Sequence, residues 1–201
     1  MKKVFFILLT VLFSSTTYAG ECEKYWNAKE YDKAFDTCQK EAEQGDKKAQ
    51  FYLAQAYEEG LGVEEDLDKV LYWVTKSAEQ GFDQAQYYLA LMYDEGEGVE
   101  EDDQKAVYWY TKAAEQGLVD AQYNLAIMYD EGEGVEKNKE TAVFWYKKAV
   151  EQDSPEALNN LGVMYYYGEG VEKNRPLAIK YFKKACSLGI DEACDNKSLR
   201  R

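Results

Sequence analysis

The sequence predicts an all-α protein whose helices stack in pairs as an α/α solenoid. Three observations lead to this fold class: a strict 36-residue repeat, helical spacing of apolar residues within each repeat, and paired glycines between the helical stretches. One helix pair cannot cover its own apolar side, whereas stacked pairs bury it in a continuous core. We therefore expect four full repeats with a partial unit at each end.

The repeat is visible as columns of identical residues that recur every 36 positions without an insertion. The leucine and tyrosine columns are Leu53, Leu89, Leu125 and Leu161, and Tyr57, Tyr93, Tyr129 and Tyr165. A Gly-x-Gly-Val segment follows each tyrosine in the same register. The units are therefore residues 49–84, 85–120, 121–156 and 157–192. Residues 20–48 form a partial N-terminal capping repeat, and residues 193–201 begin a further partial repeat.

Each unit is predicted to hold two helices, as the second unit illustrates. Ala85, Leu89 and Tyr93 have the four-residue spacing of a helical stripe. Gly96 follows this stripe, and glycine readily takes the left-handed conformation that ends a helix. A second helix is predicted over residues 103–116, where alanines and aromatic residues again recur at helical spacing. The unit is thus a helical hairpin.

Residues 1–19 have the layout of a secretory signal peptide. Lys2 and Lys3 precede an apolar run over residues 4–13, and Thr17-Tyr18-Ala19 resembles a signal peptidase site. The apolar run is shorter than the roughly 20 residues that span a bilayer. We expect cleavage after Ala19 and a periplasmic or secreted protein without a membrane span; a retained anchor is the alternative.

The net charge of the chain limits the kinds of partner that it is expected to bind. Without Lys2 and Lys3, 22 basic residues face 38 acidic ones, a net charge of −16. Such a surface repels phosphate backbones, which argues against nucleic acid as a partner. The repeats carry −6, −7, −4 and +1 in chain order. An acidic surface favours basic partners, although solubility of an exported protein explains it equally well.

Four cysteines remain after the predicted cleavage: Cys22, Cys38, Cys186 and Cys194. An even number of cysteines in an oxidising compartment predicts two disulfides. Four cysteines permit three pairings, and their count alone does not choose among them.

The columns also carry a family resemblance. The second unit has Ala-x-Tyr-x-Leu-Ala-x-x-Tyr-x-x-Gly-x-Gly-Val over residues 85–99 and Lys-Ala-x-x-Trp-Tyr-x-Lys-Ala-Ala-x-x-Gly over residues 105–117. This pattern resembles the Sel1-like repeat, a relative of the tetratricopeptide repeat, over about 144 residues. The resemblance implies a curved α/α solenoid that grips a partner protein or peptide on a concave face lined by the first helix of each unit.

The resemblance extends to the exported, cysteine-rich members of that family, which place disulfides across helices. The Cys-x₇-Cys spacing of Cys186 and Cys194 is similar to theirs. Cys22 and Cys38 are equidistant from a turn near residues 29–30, and other pairings would join distant ends of a solenoid. We therefore predict Cys22–Cys38 and Cys186–Cys194; free buried thiols are the alternative.

Catalytic motifs are scarce. The chain has no histidine, which excludes a histidine-activated nucleophile. The Ser-x-x-Lys motif of penicillin-recognising enzymes is also missing. A β-lactamase-like or penicillin-binding activity therefore rests only on the resemblance to cysteine-rich members. In the acidic glycine loops, such as residues 94–98, glycine takes positions where an EF-hand needs oxygen ligands. We expect neither enzymatic activity nor a metal or cofactor.

The partner-binding surface is predicted from three columns of the first helices that share one side at spacings of four and seven residues. The candidate residues are Tyr52, Tyr88, Asn124 and Asn160; Met92, Met128 and Met164; and Glu95, Glu131 and Tyr167. Methionines suit adaptable contacts and tyrosines suit anchors, but both also suit packing between repeats. A protein or peptide partner of a monomeric chain is expected; cell-wall glycan stacked on Tyr52, Tyr88 and Tyr167 is the alternative.

Overall fold

The computed structural model of this chain describes residues 20–195, which form a series of helices connected by turns. The predicted signal peptide and residues 196–201 of the last partial unit lie outside the described residues. The helices are α1 Glu21–Asn27, α2 Tyr31–Glu43, α3 Lys47–Glu59, α4 Leu67–Glu79, α5 Asp83–Glu95, α6 Asp103–Glu115, α7 Val119–Glu131, α8 Lys139–Val150, α9 Pro155–Tyr167, α10 Arg175–Ser187 and α11 Asp191–Asp195. The all-α solenoid is confirmed.

Each helix packs mainly on its neighbours along the chain. Helices α3, α5, α7 and α9 are the first helices of the four repeats, and α4, α6, α8 and α10 are the second helices. Contacts between distant repeats are not needed in this arrangement, because each pair covers the apolar side of the next one. The helix predicted over residues 103–116 is confirmed by α6, with Gln116 as its C-cap.

The connection within each repeat has the same capping pattern. Each first helix ends at a glycine with φ between 65° and 84°, in the left-handed region. Each second helix begins after an aspartate or asparagine whose side chain accepts from a backbone N–H three residues on. These N-caps are Asp66, Asp102, Asn138 and Asn174. Both ends of the connection therefore satisfy helix-terminal groups.

A ladder of glutamines links the repeats inside the core. Buried Gln86 donates from Nε2 to the Ala78 carbonyl at 3.1 Å and accepts from Gln116 Nε2 at 2.7 Å. Gln50 and Gln122 make the corresponding contacts in the neighbouring repeats. These amides are buried but hydrogen-bonded, so they hold adjacent repeats together and are not a binding site.

Both predicted disulfides are present. Cys22 and Cys38 join α1 to α2, with their Cα atoms 4.6 Å apart. Cys186 and Cys194 join α10 to α11, with their Cα atoms 4.8 Å apart. The described residues contain no free cysteine. The bridges thus lie in the first and last described helix pairs.

The second glycine of each Gly-x-Gly segment lies against the preceding unit. A Cβ atom on Gly170 would lie 2.4 Å from the backbone carbonyl of Lys139 at the start of α8. A Cβ atom on Gly134 would lie 2.3 Å from the carbonyl of Asp103 at the start of α6. Successive repeats therefore approach each other backbone to backbone at these two points.

Candidate functional site

The candidate site is the exposed side of α3, α5, α7 and α9, which we call the first-helix face. Its middle column consists of the half-buried Gln55, Leu91, Ile127 and Val163. Leu91 lies two residues from buried Leu89, so it points about 160° away from that core position around the helix. The middle of the face is therefore aliphatic in three consecutive repeats.

Sequence reasoning missed this aliphatic column because it selected the adjacent methionine column. Met92, Met128 and Met164 are only 3%, 2% and 2% exposed, and they belong to the core. Met92 lies three residues from Leu89, about 60° around the helix, and hence on the core side. This burial favours the alternative of packing between repeats over contact with a partner.

Two of the three predicted tyrosine anchors, Tyr52 and Tyr88, already contact other side chains of the chain. The half-buried Tyr52 ring stacks on Trp26, with ring centroids 5.3 Å apart. Tyr88 donates its hydroxyl to Glu58, and its ring meets Phe51 edge-on. Burial and the Glu58 carboxylate raise the pKa of Tyr88. Both rings therefore form part of the wall of the face rather than free stacking platforms.

The two predicted asparagines bind tyrosines of the preceding second helices. Asn124 donates from Nδ2 to the Tyr110 hydroxyl at 3.1 Å, and Asn160 donates in the same way to Tyr146 at 3.1 Å. Tyr110 in turn donates to Asp94 Oδ2 at 2.9 Å. Tyr110 and Tyr146 are fully buried, and their hydroxyls are held by these asparagines of the first helices.

Acidic side chains border the aliphatic column. Glu95 and Glu131 are exposed at the ends of α5 and α7, and Tyr167 occupies the corresponding exposed position on α9. Glu133 follows in the adjacent turn. Slight desolvation, followed by the nearby charges of Glu131 and Asp103, raises the pKa of the exposed Glu133. Negative charge is thus concentrated along this edge of the face.

A cleft of about 300 Å³ opens on the face between α7 and α9. Its lining combines aliphatic, aromatic and acidic groups from two repeats: Tyr123, Ile127, Asp130, Glu131, Tyr146, Asn160, Val163, Met164 and Glu169. The cleft brings together the predicted residues Glu131 and Asn160 with the edge of Met164. Lys139 bridges Asp130 at 2.9 Å and Glu169 at 2.5 Å beside it.

The buried phenols of Tyr110 and Tyr146 make stability sensitive to high pH. Burial raises the pKa of both groups, and the Asp94 charge adds to the effect at Tyr110. The folded chain keeps these phenols protonated while the unfolded chain loses the protons near pH 10. The free energy of unfolding should therefore fall as the pH rises above about 10. Urea denaturation between pH 8 and 11 should show that the free energy of unfolding falls less steeply with pH in Tyr110→Phe/Tyr146→Phe than in the wild type. The same dependence on pH in both proteins would contradict this assignment.

Residues 20–195, the described part of the chain, contain neither a candidate metal site nor a candidate membrane-spanning helix. Between residues 20 and 195, no group of three or more acidic or cysteine side chains is arranged to hold a metal ion. Within that same range, no helix has the length and apolar character needed to cross a bilayer.

The comparison with protein families matches the Sel1 repeat over residues 47–82, 83–118, 119–154 and 155–190. The period is the predicted one, and each matched unit begins two residues earlier than in our division of the sequence. No curated protein matches the chain.

Several solved structures are similar. A Sel1 repeat protein of Oxalobacter formigenes is 34% identical, with a TM-score of 0.81 over 86% of this chain and 71% of that one. A protective antigen of uropathogenic Escherichia coli with an SLR fold is 38% identical, with a TM-score of 0.77 over 80% of this chain. This chain covers only 34% of that antigen. Cysteine-rich protein B of Helicobacter pylori is 29% identical, with a TM-score of 0.51 over 65% of this chain and 93% of its own. With four matched repeats in one continuous helical stack, this chain belongs to the Sel1 repeat family.

Proposed function

We propose that this protein is an exported, non-catalytic scaffold that binds a basic segment of a partner protein along the first-helix face, the concave side of the solenoid. The observation that carries this proposal is the cleft between α7 and α9. There the aliphatic side chains of Ile127 and Val163 lie beside the exposed carboxylate of Glu131 and beside Asp130, which is paired with Lys139. Apolar contacts supply affinity in such a cleft, and the carboxylates select cationic partners.

The difference in net charge between the four first helices and the four second helices supports a basic partner. The four first helices carry two basic and nine acidic residues, a net charge of −7. The four second helices carry eleven basic and five acidic residues, a net charge of +6. General solubility does not require opposite signs on the two layers. The first-helix side therefore attracts cations even though the second helices are basic.

The spacing of the aliphatic column indicates what kind of segment fits. Leu91, Ile127 and Val163 occur once per repeat, with an acidic residue three positions later in two of the three repeats, at Asp94 and Asp130. A segment in which apolar residues are interspersed with lysine or arginine would place both kinds of side chain against their counterparts. Asn124 and Asn160 use their Nδ2 groups as donors to tyrosines, and their side-chain carbonyl oxygens are able to accept from the backbone of such a segment.

The family and the disulfides support the remaining parts of the proposal. Sel1 repeats generally serve as protein-interaction scaffolds. Two disulfides are consistent with an oxidising compartment, and hence with export after cleavage at Ala19. We further propose that the chain acts as a monomer.

The proposal can be tested with peptides selected from a random dodecapeptide library on the immobilised protein. Lysine and arginine should be enriched together with aliphatic or aromatic residues. The tightest peptide, synthesised with a fluorophore, should bind Ile127→Gln/Val163→Gln at least about tenfold more weakly by fluorescence anisotropy, because its apolar contacts are removed. Binding should also weaken as salt increases.

Phe144→Gln is the matched control, because Phe144 is a 51% exposed apolar residue on a second helix. It should bind the same peptide as the wild type does. Selected peptides without basic residues, or weakening by Phe144→Gln alone, would place the binding surface elsewhere.

The glycan alternative has less support from the geometry. It requires open rings at Tyr52, Tyr88 and Tyr167, of which the first two are half-buried and engaged by Trp26 and Glu58.

A further inference from the structure

A buried carboxylate stands out at the N-terminal unit. Glu41 on α2 is only 3% exposed, whereas ionised glutamates are almost never fully buried without a charged partner. It accepts from the backbone nitrogens of Gly20 at 3.3 Å and of Cys22 at 3.4 Å. These are its partners among the described residues, and none of the ion pairs found there includes Glu41.

Both hydrogen bonds are long, and both donors are neutral amides. Backbone N–H groups bond oxygen most often at about 2.9–3.0 Å, and charge-assisted bonds are shorter still. Two long amide contacts compensate a buried negative charge poorly. The site therefore lacks a cation.

The nearer of the two donors, the Gly20 nitrogen, lies at the predicted cleavage site. Gly20 is the residue that follows the predicted signal peptidase site Thr17-Tyr18-Ala19. Hydrolysis of the Ala19–Gly20 amide consumes one water molecule, leaves a carboxylate on Ala19 and converts the Gly20 nitrogen into an ammonium group at neutral pH. The amide that now donates one weak hydrogen bond would become a positive charge with three N–H donors.

We propose that cleavage after Ala19 creates the partner of Glu41: the new α-ammonium group of Gly20 forms an ion pair with this buried carboxylate and secures α1 on α2. The uncleaved chain cannot form this pair, so the N-terminal unit is less stable before processing than after it. This proposal rests on the export proposed above for its cleavage step, but the ion pair is testable without export.

The short length of α1 explains why an ion pair to α2 would matter for the stability of the N-terminal unit. Helix α1 has only seven residues and is the first helix of the described part of the chain. It is held by the disulfide between Cys22 and Cys38, and Glu41 lies three residues after Cys38 on the same side of α2. The bridge and the ion pair would therefore restrain the same end of α1.

Four purified chains separate the ion pair from other effects. The first spans residues 20–201 with a free Gly20 amine, and the second also retains Tyr18 and Ala19. The other two carry Glu41→Gln in each of these forms. With Glu41 present, the free-amine chain should unfold at a temperature roughly 5 °C or more above that of the extended chain. In the two Glu41→Gln chains this difference should largely disappear.

Glu43→Gln is the matched control, because Glu43 is an exposed glutamate on the same helix. In the Glu43→Gln background, the chain that begins at Gly20 should still unfold at the higher temperature by the same margin over the extended chain. Chemical acetylation of the Gly20 amine removes its charge without adding residues, and should reproduce the loss. Equal unfolding temperatures for the two starts, or an equal difference in the Glu41→Gln background, would overturn the ion pair.

The cleavage step has its own readout. N-terminal sequencing of the full chain exported from a bacterial host should begin at Gly20. A mature chain that begins at any other residue would overturn the processing step, whatever the outcome of the unfolding experiment.

Discussion

Replacing Gly170 by alanine should lower the free energy of unfolding by about 3 kcal/mol or more. Two costs combine at this position. The backbone has φ of +62°, where an L-residue other than glycine is strained by roughly 1–2 kcal/mol. The added methyl group would also lie 2.4 Å from the Lys139 carbonyl, which forces the repeats apart. Chemical denaturation monitored by circular dichroism measures the loss.

Gly98→Ala is the matched control, because Gly98 occupies the same repeat position with φ of +68°. The nearest atom to a Cβ there is the flexible end of Met92, at 3.3 Å. This variant should lose only the strain of roughly 1–2 kcal/mol. Equal losses for the two variants would show that the backbone approach of adjacent repeats does not matter for stability.

Removal of the Cys22–Cys38 bridge should cost about 3 kcal/mol in the Cys22→Ala/Cys38→Ala variant. The bridge closes a loop with a sequence separation of 16 and thereby restricts the unfolded chain. It also restrains α1, a helix of only seven residues, so amide hydrogen exchange in α1 should accelerate more than in α7.

The Cys186–Cys194 bridge supplies the comparison. Its separation of 8 predicts a smaller cost of about 2.5 kcal/mol for Cys186→Ala/Cys194→Ala. Denaturation under oxidising conditions measures both losses. Under reducing conditions each variant should unfold close to the reduced wild type. A variant that remains as stable as the oxidised wild type would show that its bridge is dispensable.

The candidate site was predicted only in part. Glu95, Glu131 and Tyr167 lie exposed on the first helices, and Asn124 and Asn160 are half-buried there. Leu91, Ile127 and Val163 were overlooked, because an aliphatic residue in an amphipathic helix is usually a core residue. Helical angles counted from Leu89 separate Leu91 from Met92, and this signal is present in the sequence alone.

The sequence by itself determined the helices, their ends and their order of stacking. A repeat without insertions imposes the same local contacts in every unit, and the glycines at φ above 60° and the capping aspartates and asparagines depend only on neighbouring residues. The disulfide pairing followed from the same short-range geometry.

Only the tertiary structure decided what lies between one repeat and the next. The burial of Met92, the backbone contact at Gly170 and the enclosure of Glu41 depend on atoms contributed by another helix or unit. The spacing of residues within a helix fixes the direction of a side chain, but not how closely the neighbouring helix covers it. For that reason the sequence indicates which side of each first helix faces outward, while the exposed fraction of each side chain comes only from the tertiary structure.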